Sequence, residues 1–146
     1  MSIFTIKAGI KAKLDTLVTS AVLGVAVSSD IRKDPLQTDA GAYPQAILMP
    51  PAIESEVLDN RTIIRTYSFD VMVLFNAENI AGTADVETAV ETMLSAFDND
   101  PTLGGTALGG MLPISSSPEP FQHGGKDLIM VVLQIKAKDV VSLTFA

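Results

Sequence analysis

Arg61-Thr62-Ile63-Ile64-Arg65-Thr66-Tyr67-Ser68-Phe69-Asp70-Val71-Met72-Val73-Leu74-Phe75-Asn76 decides the fold. In an extended chain Tyr67, Phe69, Val71, Val73 and Phe75 share one face, and Thr66, Ser68, Asp70, Met72 and Leu74 the other. Period-two alternation of this kind marks a half-buried antiparallel strand. The run exceeds the usual strand length, so one end is free to project from the domain as an arm.

Downstream, Thr83 is a good N-cap, and Asp85 and Glu87 complement the helix dipole. Val86, Val90, Met93, Leu94 and Phe97 form one stripe, so residues 84–98 read as a helix that Asp100-Pro101 ends. A second long strand runs from Leu128 to Lys138, with Ile129, Val131, Leu133, Ile135 and Ala137 inward. Its outer face begins apolar with Leu128, Met130 and Val132, then turns polar at Gln134, Lys136 and Lys138. His123-Gly124-Gly125 reads as the turn before it. Upstream, Ile6, Ile10, Leu14, Leu17, Val18 and Val22 recur at helical spacing, which predicts a helix over 4–22 stopped at Gly24. Val25 and Val27 suggest a short strand, and Tyr43–Met49 another, closed by Pro50-Pro51. Two prolines cannot donate to a ladder, so the chain leaves the sheet there or runs along its edge.

These elements predict an α+β fold in one domain over 1–146. A mainly antiparallel sheet of about four strands carries two helices on one face. The outer faces of both long strands are partly apolar, which helix cover or a subunit contact would explain. Residues 98–127 form a long Gly/Pro-rich loop or an extended hairpin. Its first part holds two Gly-Gly pairs and several prolines but no cluster of catalytic side chains. Loops this long are usually functional or ordered by a partner. The candidate contact residues are therefore Asp100, Pro101, Leu103, Gly104, Gly105, Leu108, Met111, Leu112 and Pro113, with Pro50 and Pro51 beside them.

Composition narrows the function. The 146 residues are 47% hydrophobic, enough for a core, and contain no cysteine. Disulfide scaffolds, thiolate metal sites and thiol nucleophiles are excluded. No stretch approaches the roughly 18 apolar residues of a membrane span, and the N-terminus lacks signal-peptide features. The net charge of -7 argues against general nucleic-acid binding. The charge is uneven: Lys7, Lys11 and Lys13 lie in the first helix, whereas from Asp34 to Asp100 only Arg61 and Arg65 oppose scattered acids.

Catalytic motifs fail one by one. His123 is the only histidine, too few for a zinc site, and Ser115-Ser116-Ser117 between prolines reads as a loop rather than a source of nucleophiles. Gly125-Lys126 has Pro120 where a phosphate-binding loop needs glycine, and Asp127 where it needs Ser or Thr. A calcium loop starting at Asp98 would place Leu103 at the required glycine and Gly109 at the required glutamate. No pair of carboxylates is singled out for glycoside cleavage, and no cofactor or metal is expected.

The basic N-terminal helix, Tyr43-Pro44 leading a short strand, the strand from Arg61 to Asn76, the helix from Ala84 to Asp98, the exit Asp100-Pro101-Thr102-Leu103-Gly104-Gly105 and the final strand Leu128–Lys138 together resemble the bacteriophage tail terminator, or tail-completion, proteins of the head–tail junction. The resemblance covers most of the chain. It implies a non-enzymatic structural protein of the virion tail and neck, assembled in the host cytoplasm. Its partners would be further copies in a ring, commonly a hexamer, the tail-tube protein, neck and connector proteins, and the sheath where there is one. DNA would only pass through the lumen, and six acidic subunits would offer phosphates no anchor. A neck or tail-tube protein of the same particle is the alternative, with a host α+β enzyme or ligand-binding domain behind it.

Overall fold

The computed structural model describes residues 3–20, 23–28, 44–76, 83–99, 114–123 and 126–142. Helix α1 spans Ile3–Thr19 and helix α2 spans Thr83–Asp98. The strands are β1 (Val25–Ser28), β2 (Gln45–Leu48), β3 (Ala52–Val57), β4 (Thr62–Asn76), β5 (Ile114–Ser115), β6 (Glu119–His123) and β7 (Lys126–Ser142). They form one seven-stranded sheet in the order β1-β2-β4-β7-β5, with β3 also on β4 and β6 also on β7. Only β1 and β2 are parallel; every other pairing is antiparallel. The α+β class is as the sequence predicts, but the sheet has seven strands where about four were expected.

β4 and β7 pair along the whole of β4, from Thr62 opposite Ser142 to Asn76 opposite Leu128. The inward faces are those expected: Tyr67, Phe69, Val71, Val73 and Phe75 lie with Val131, Leu133, Ile135 and Ala137 in one core. Ile6, Ile10, Leu14 and Leu17 of α1 and Val86, Met93 and Phe97 of α2 join the same cluster, so both helices cover one face. Each large side chain buried here contributes roughly 1.5–3 kcal/mol. On the opposite face Ile47, Leu74 and Leu128 make a smaller cluster edged by Met49, Met72 and Met130. Among the described residues its buried members all lie on strands, so neighbouring strands partly explain the apolar outer faces.

α1 ends at Thr19, not near residue 22. Thr16 donates its hydroxyl to the Ala12 carbonyl, Thr19 to Asp15 and Ser20 to Leu17. The last of these occupies the Leu17 carbonyl that the next helical amide would use, and the Leu23 amide donates to the same carbonyl at 3.2 Å. Gly24 is not a helix stop: its amide donates to the Pro44 carbonyl at 2.8 Å and opens the β1–β2 pairing. α2 matches its expected span to within one residue.

Both long strands have a broken partner on their outer edge. β2 pairs with β4 from Gln45 opposite Leu74 to Leu48 opposite Val71, and Met49 then donates to the Asp70 carbonyl. Pairing resumes at Ala52 opposite Ser68. Pro50 and Pro51 thus stand against the single residue Phe69, a one-residue bulge. The chain runs along the edge, the second of the two courses the prolines left open. On β7, Ser116 donates its amide to the Val132 carbonyl and Glu119 lies opposite Met130, so Ser117 and Pro118 stand against Val131. Within residues 98–127, expected as a long loop or an extended hairpin, residues 114–115 and 119–123 are edge strands paired with β7, and β7 reaches Ser142 rather than Lys138.

Candidate functional site

Below the bulge at Pro50 and Pro51 burial falls away from Tyr67 toward the β3–β4 turn. β3, the first half of β4 and the last part of β7 form a three-stranded ribbon. All six residues of β3 are exposed, and β4 is only half-buried from Thr62 to Thr66. Ile53, Val57, Leu58 and Val140 are exposed large hydrophobic residues, and all four belong to the ribbon or its turn; Val57 is 75% exposed. The end of the long strand that was expected to project as an arm lies in this ribbon.

Strand pairing assigns its faces. On the helix side lie Ile53 opposite Tyr67, Ser55 opposite Arg65 and Val57 opposite Ile63. Arg65 also faces Asp139 across β7, and Asp139 is buried. On the far side, one row reads Glu54, Thr66, Lys138, and another Ala52, Ser68, Lys136. Acids mark the β3 edge and lysines the β7 edge of the same face.

The turn from β3 to β4 is closed by the Leu58 and Asp59 amides, which both donate to the Thr62 carbonyl. Asp59 Oδ1 accepts the Arg61 amide at 2.8 Å. That bond holds the Asp59 carboxyl below the ordinary aspartate range; the Thr62 hydroxyl and amide act in the same direction, against a little desolvation. A lowered pKa means that the bond's contribution is complete above the ordinary aspartate value and is lost as pH falls through the lowered one. The turn should therefore hold at neutral pH and loosen below about pH 4. Asp59→Ala should speed hydrogen exchange at the Arg61 amide at pH 7 while leaving the melting temperature nearly unchanged, because the site is at the exposed tip.

Among the earlier candidates, Pro50 and Pro51 form the bulge, with Pro50 exposed and Pro51 half-buried. Asp100, Pro101, Leu103, Gly104, Gly105, Leu108, Met111, Leu112 and Pro113 lie outside the described residues. Ser115 lies in β5, whereas Ser116 and Ser117 lie outside the strands, in the break between β5 and β6. The Ser116 hydroxyl accepts the Val132 amide at 2.9 Å, and the Ser115 hydroxyl donates to the Ser116 carbonyl at 2.9 Å. Both serve the sheet edge. The backbone of His123 pairs with Lys126 at the end of the β6–β7 hairpin, and Gly124 and Gly125 between them lie outside the described residues. Across that hairpin Gln122 donates to the Asp127 carboxylate at 2.8 Å. Among the described residues no three His, Asp or Glu side chains are grouped to hold a metal ion. No described helix is long and apolar enough to cross a membrane.

The fold defines an α+β protein with two helices on one face of a mainly antiparallel sheet, and with a ribbon whose outer edges are unpaired among the described residues. Comparison with protein families finds no match, and comparison with curated proteins finds none. Among solved structures, a chain from the virion of a native gene transfer agent particle superposes with a TM-score of 0.47 at 15% identity, covering 91% of this chain and 94% of that one. So loose a superposition has no bearing on function.

Proposed function

We propose that the protein is a structural subunit of a phage-like tail. On this reading it forms a ring at the head-proximal end, stops growth of the tail tube and docks the tail to the neck or connector. The sequence resemblance to tail terminators supports this reading. The observation that carries it is the ribbon, where exposed apolar side chains sit on strands whose outer edges are open among the described residues. A ring removes such edges by closing on itself. Residues 100–113 then supply contacts to the tube and connector, and no residue catalyses a reaction.

Sedimentation and negative-stain imaging of the purified protein test this. The expected species is a closed ring, alone or on the end of tubes grown from the tail-tube protein, and those tubes should stop lengthening when it is added. Long stacks of the protein alone would make it a tube subunit. A particle that is monomeric at high concentration and ignores both tube and connector would overturn the reading. His123→Ala should leave assembly unchanged; loss of a measurable turnover in that variant would instead favour an enzyme.

A further inference from the structure

We propose, resting on the ring reading, that neighbouring copies join head-to-tail through the ribbon, the β3 edge of one copy pairing in parallel with the β7 edge of the next. The strand directions allow it. β3 and β7 both run antiparallel to β4, so they are parallel to each other. A rotation about an axis along the strands preserves that direction, and the ribbons become one continuous sheet.

Among the described residues, no strand pairs with the outer edge of β3 or with the far end of β7. Leu58 donates to the Thr62 carbonyl, and antiparallel pairs alternate, so the even-numbered residues of β3 turn their polar groups to β4. Ile53, Ser55 and Val57 turn theirs outward. Ser116 donates to the Val132 carbonyl, so by the same alternation the even-numbered residues of β7 point away from β4. Beyond Gln134 no described strand covers that side of β7. The backbone groups of Lys136, Lys138 and Val140 therefore face outward.

Charge chooses the partner edge. Glu54, Glu56, Lys136 and Lys138 all lie on the face away from the helices. Within one copy the acids and lysines are two strand spacings apart, roughly 9.5 Å, and none of the four forms an ion pair among the described residues. At the proposed junction they are one spacing apart, roughly 4.8 Å. The register that fills the open length sets Ala52 against Lys136 and Glu54 against Lys138, with Glu56 one diagonal step away. Two-fold pairing of like edges would instead set lysine against lysine or glutamate against glutamate, which is destabilising. Head-to-tail contacts generate rings when the rotation closes.

Charge reversal tests the junction in the full chain. Lys136→Glu with Lys138→Glu, and separately Glu54→Lys with Glu56→Lys, should each weaken association tenfold or more per junction, shifting sedimentation from ring to monomer. The four changes together should restore the ring, and circular dichroism should match wild type throughout. The milder Lys136→Gln with Lys138→Gln pair should weaken association less, and its deficit should shrink in high salt as screening removes the lost attraction. Charged residues on edge strands can also serve to prevent pairing; reversal of one edge would then leave assembly at wild-type strength, and the proposal fails while the ring stands. Folded single-edge variants that lose the ring without rescue by the four-fold variant would overturn it as well. A wild-type protein that never assembles, alone or with tube protein, would overturn both this junction and the ring.

Discussion

Phe69→Ala is expected to cost about 3–5 kcal/mol of folding free energy. Phe69 is fully buried in β4, the central strand that the whole sheet hangs on. Ile135 stands opposite it on β7, and the bulge at Pro50 and Pro51 stands opposite it on the other side. Its ring belongs to the cluster shared by both helices, so alanine leaves a cavity that neither helix can fill without moving off the sheet. For a domain of this length the loss should lower the melting temperature by roughly 10 °C. Assembly would raise the apparent stability, so the measurement belongs at low concentration, with the denaturant slope checked against wild type. Phe4→Ala is the matched comparison. Phe4 is 79% exposed, and its removal should change stability by no more than about 0.5 kcal/mol. Equal effects at the two positions would mean that the helices do not rest on this face of the sheet.

The parts legible in the sequence are those whose burial is one-sided and regular. The alternation from Tyr67 to Phe75 and the α2 stripe survive intact because a single face of each meets the core. β3 was missed, although Ile53, Ser55 and Val57 alternate with Ala52, Glu54 and Glu56 and Asp59-Asn60 follows as a turn. That pattern is a hairpin signal, but Pro50-Pro51 ahead of it reads as an exit from the sheet. β5 and β6 carry no burial signal, because both lie at an edge and gain their structure from pairing with β7. The turn expected at His123-Gly124-Gly125 implies a strand on each side, and His123 pairs with Lys126; the strand before it is hidden in the sequence by Pro118 and Pro120. β7 outran its expected end because pairing with the first half of β4 carries it past Lys138, where hydropathy no longer helps. The candidate surface was less legible for a related reason. Glu54 and Glu56 reach the face of Lys136 and Lys138 only through two successive registers, which no local pattern encodes.

Val71→Pro should abolish cooperative folding, or cost at least about 4 kcal/mol where a transition survives. Val71 lies between Leu48 of β2 and Leu133 of β7, fully buried. Met49 donates to the Asp70 carbonyl, so Asp70 turns its backbone toward β2, and alternation turns Val71 toward Leu133. The Ser116 bond to Val132 leads to the same result from the other strand, since it turns Val132 outward and Leu133 inward. Proline at 71 would remove the donor to the Leu133 carbonyl in a dry interior and press its ring into the ladder. An orphaned buried acceptor alone costs about 1–3 kcal/mol, and lost packing of a buried valine adds to it. The chain's own prolines show the rule the variant breaks. Pro50, Pro51 and Pro118 occupy bulges, and Pro120 lies in edge strand β6 opposite Ile129. Pro120→Thr should accordingly shift stability by no more than about 1 kcal/mol, since the edge asks little of that position. Because β4 and β7 hold both the core and the ribbon, the break at 71 should remove assembly together with the fold, whereas charge reversal at the ribbon should remove assembly alone. A Val71→Pro protein that melted like wild type would place β4 at the border of the sheet, and the ribbon's two open edges would no longer follow.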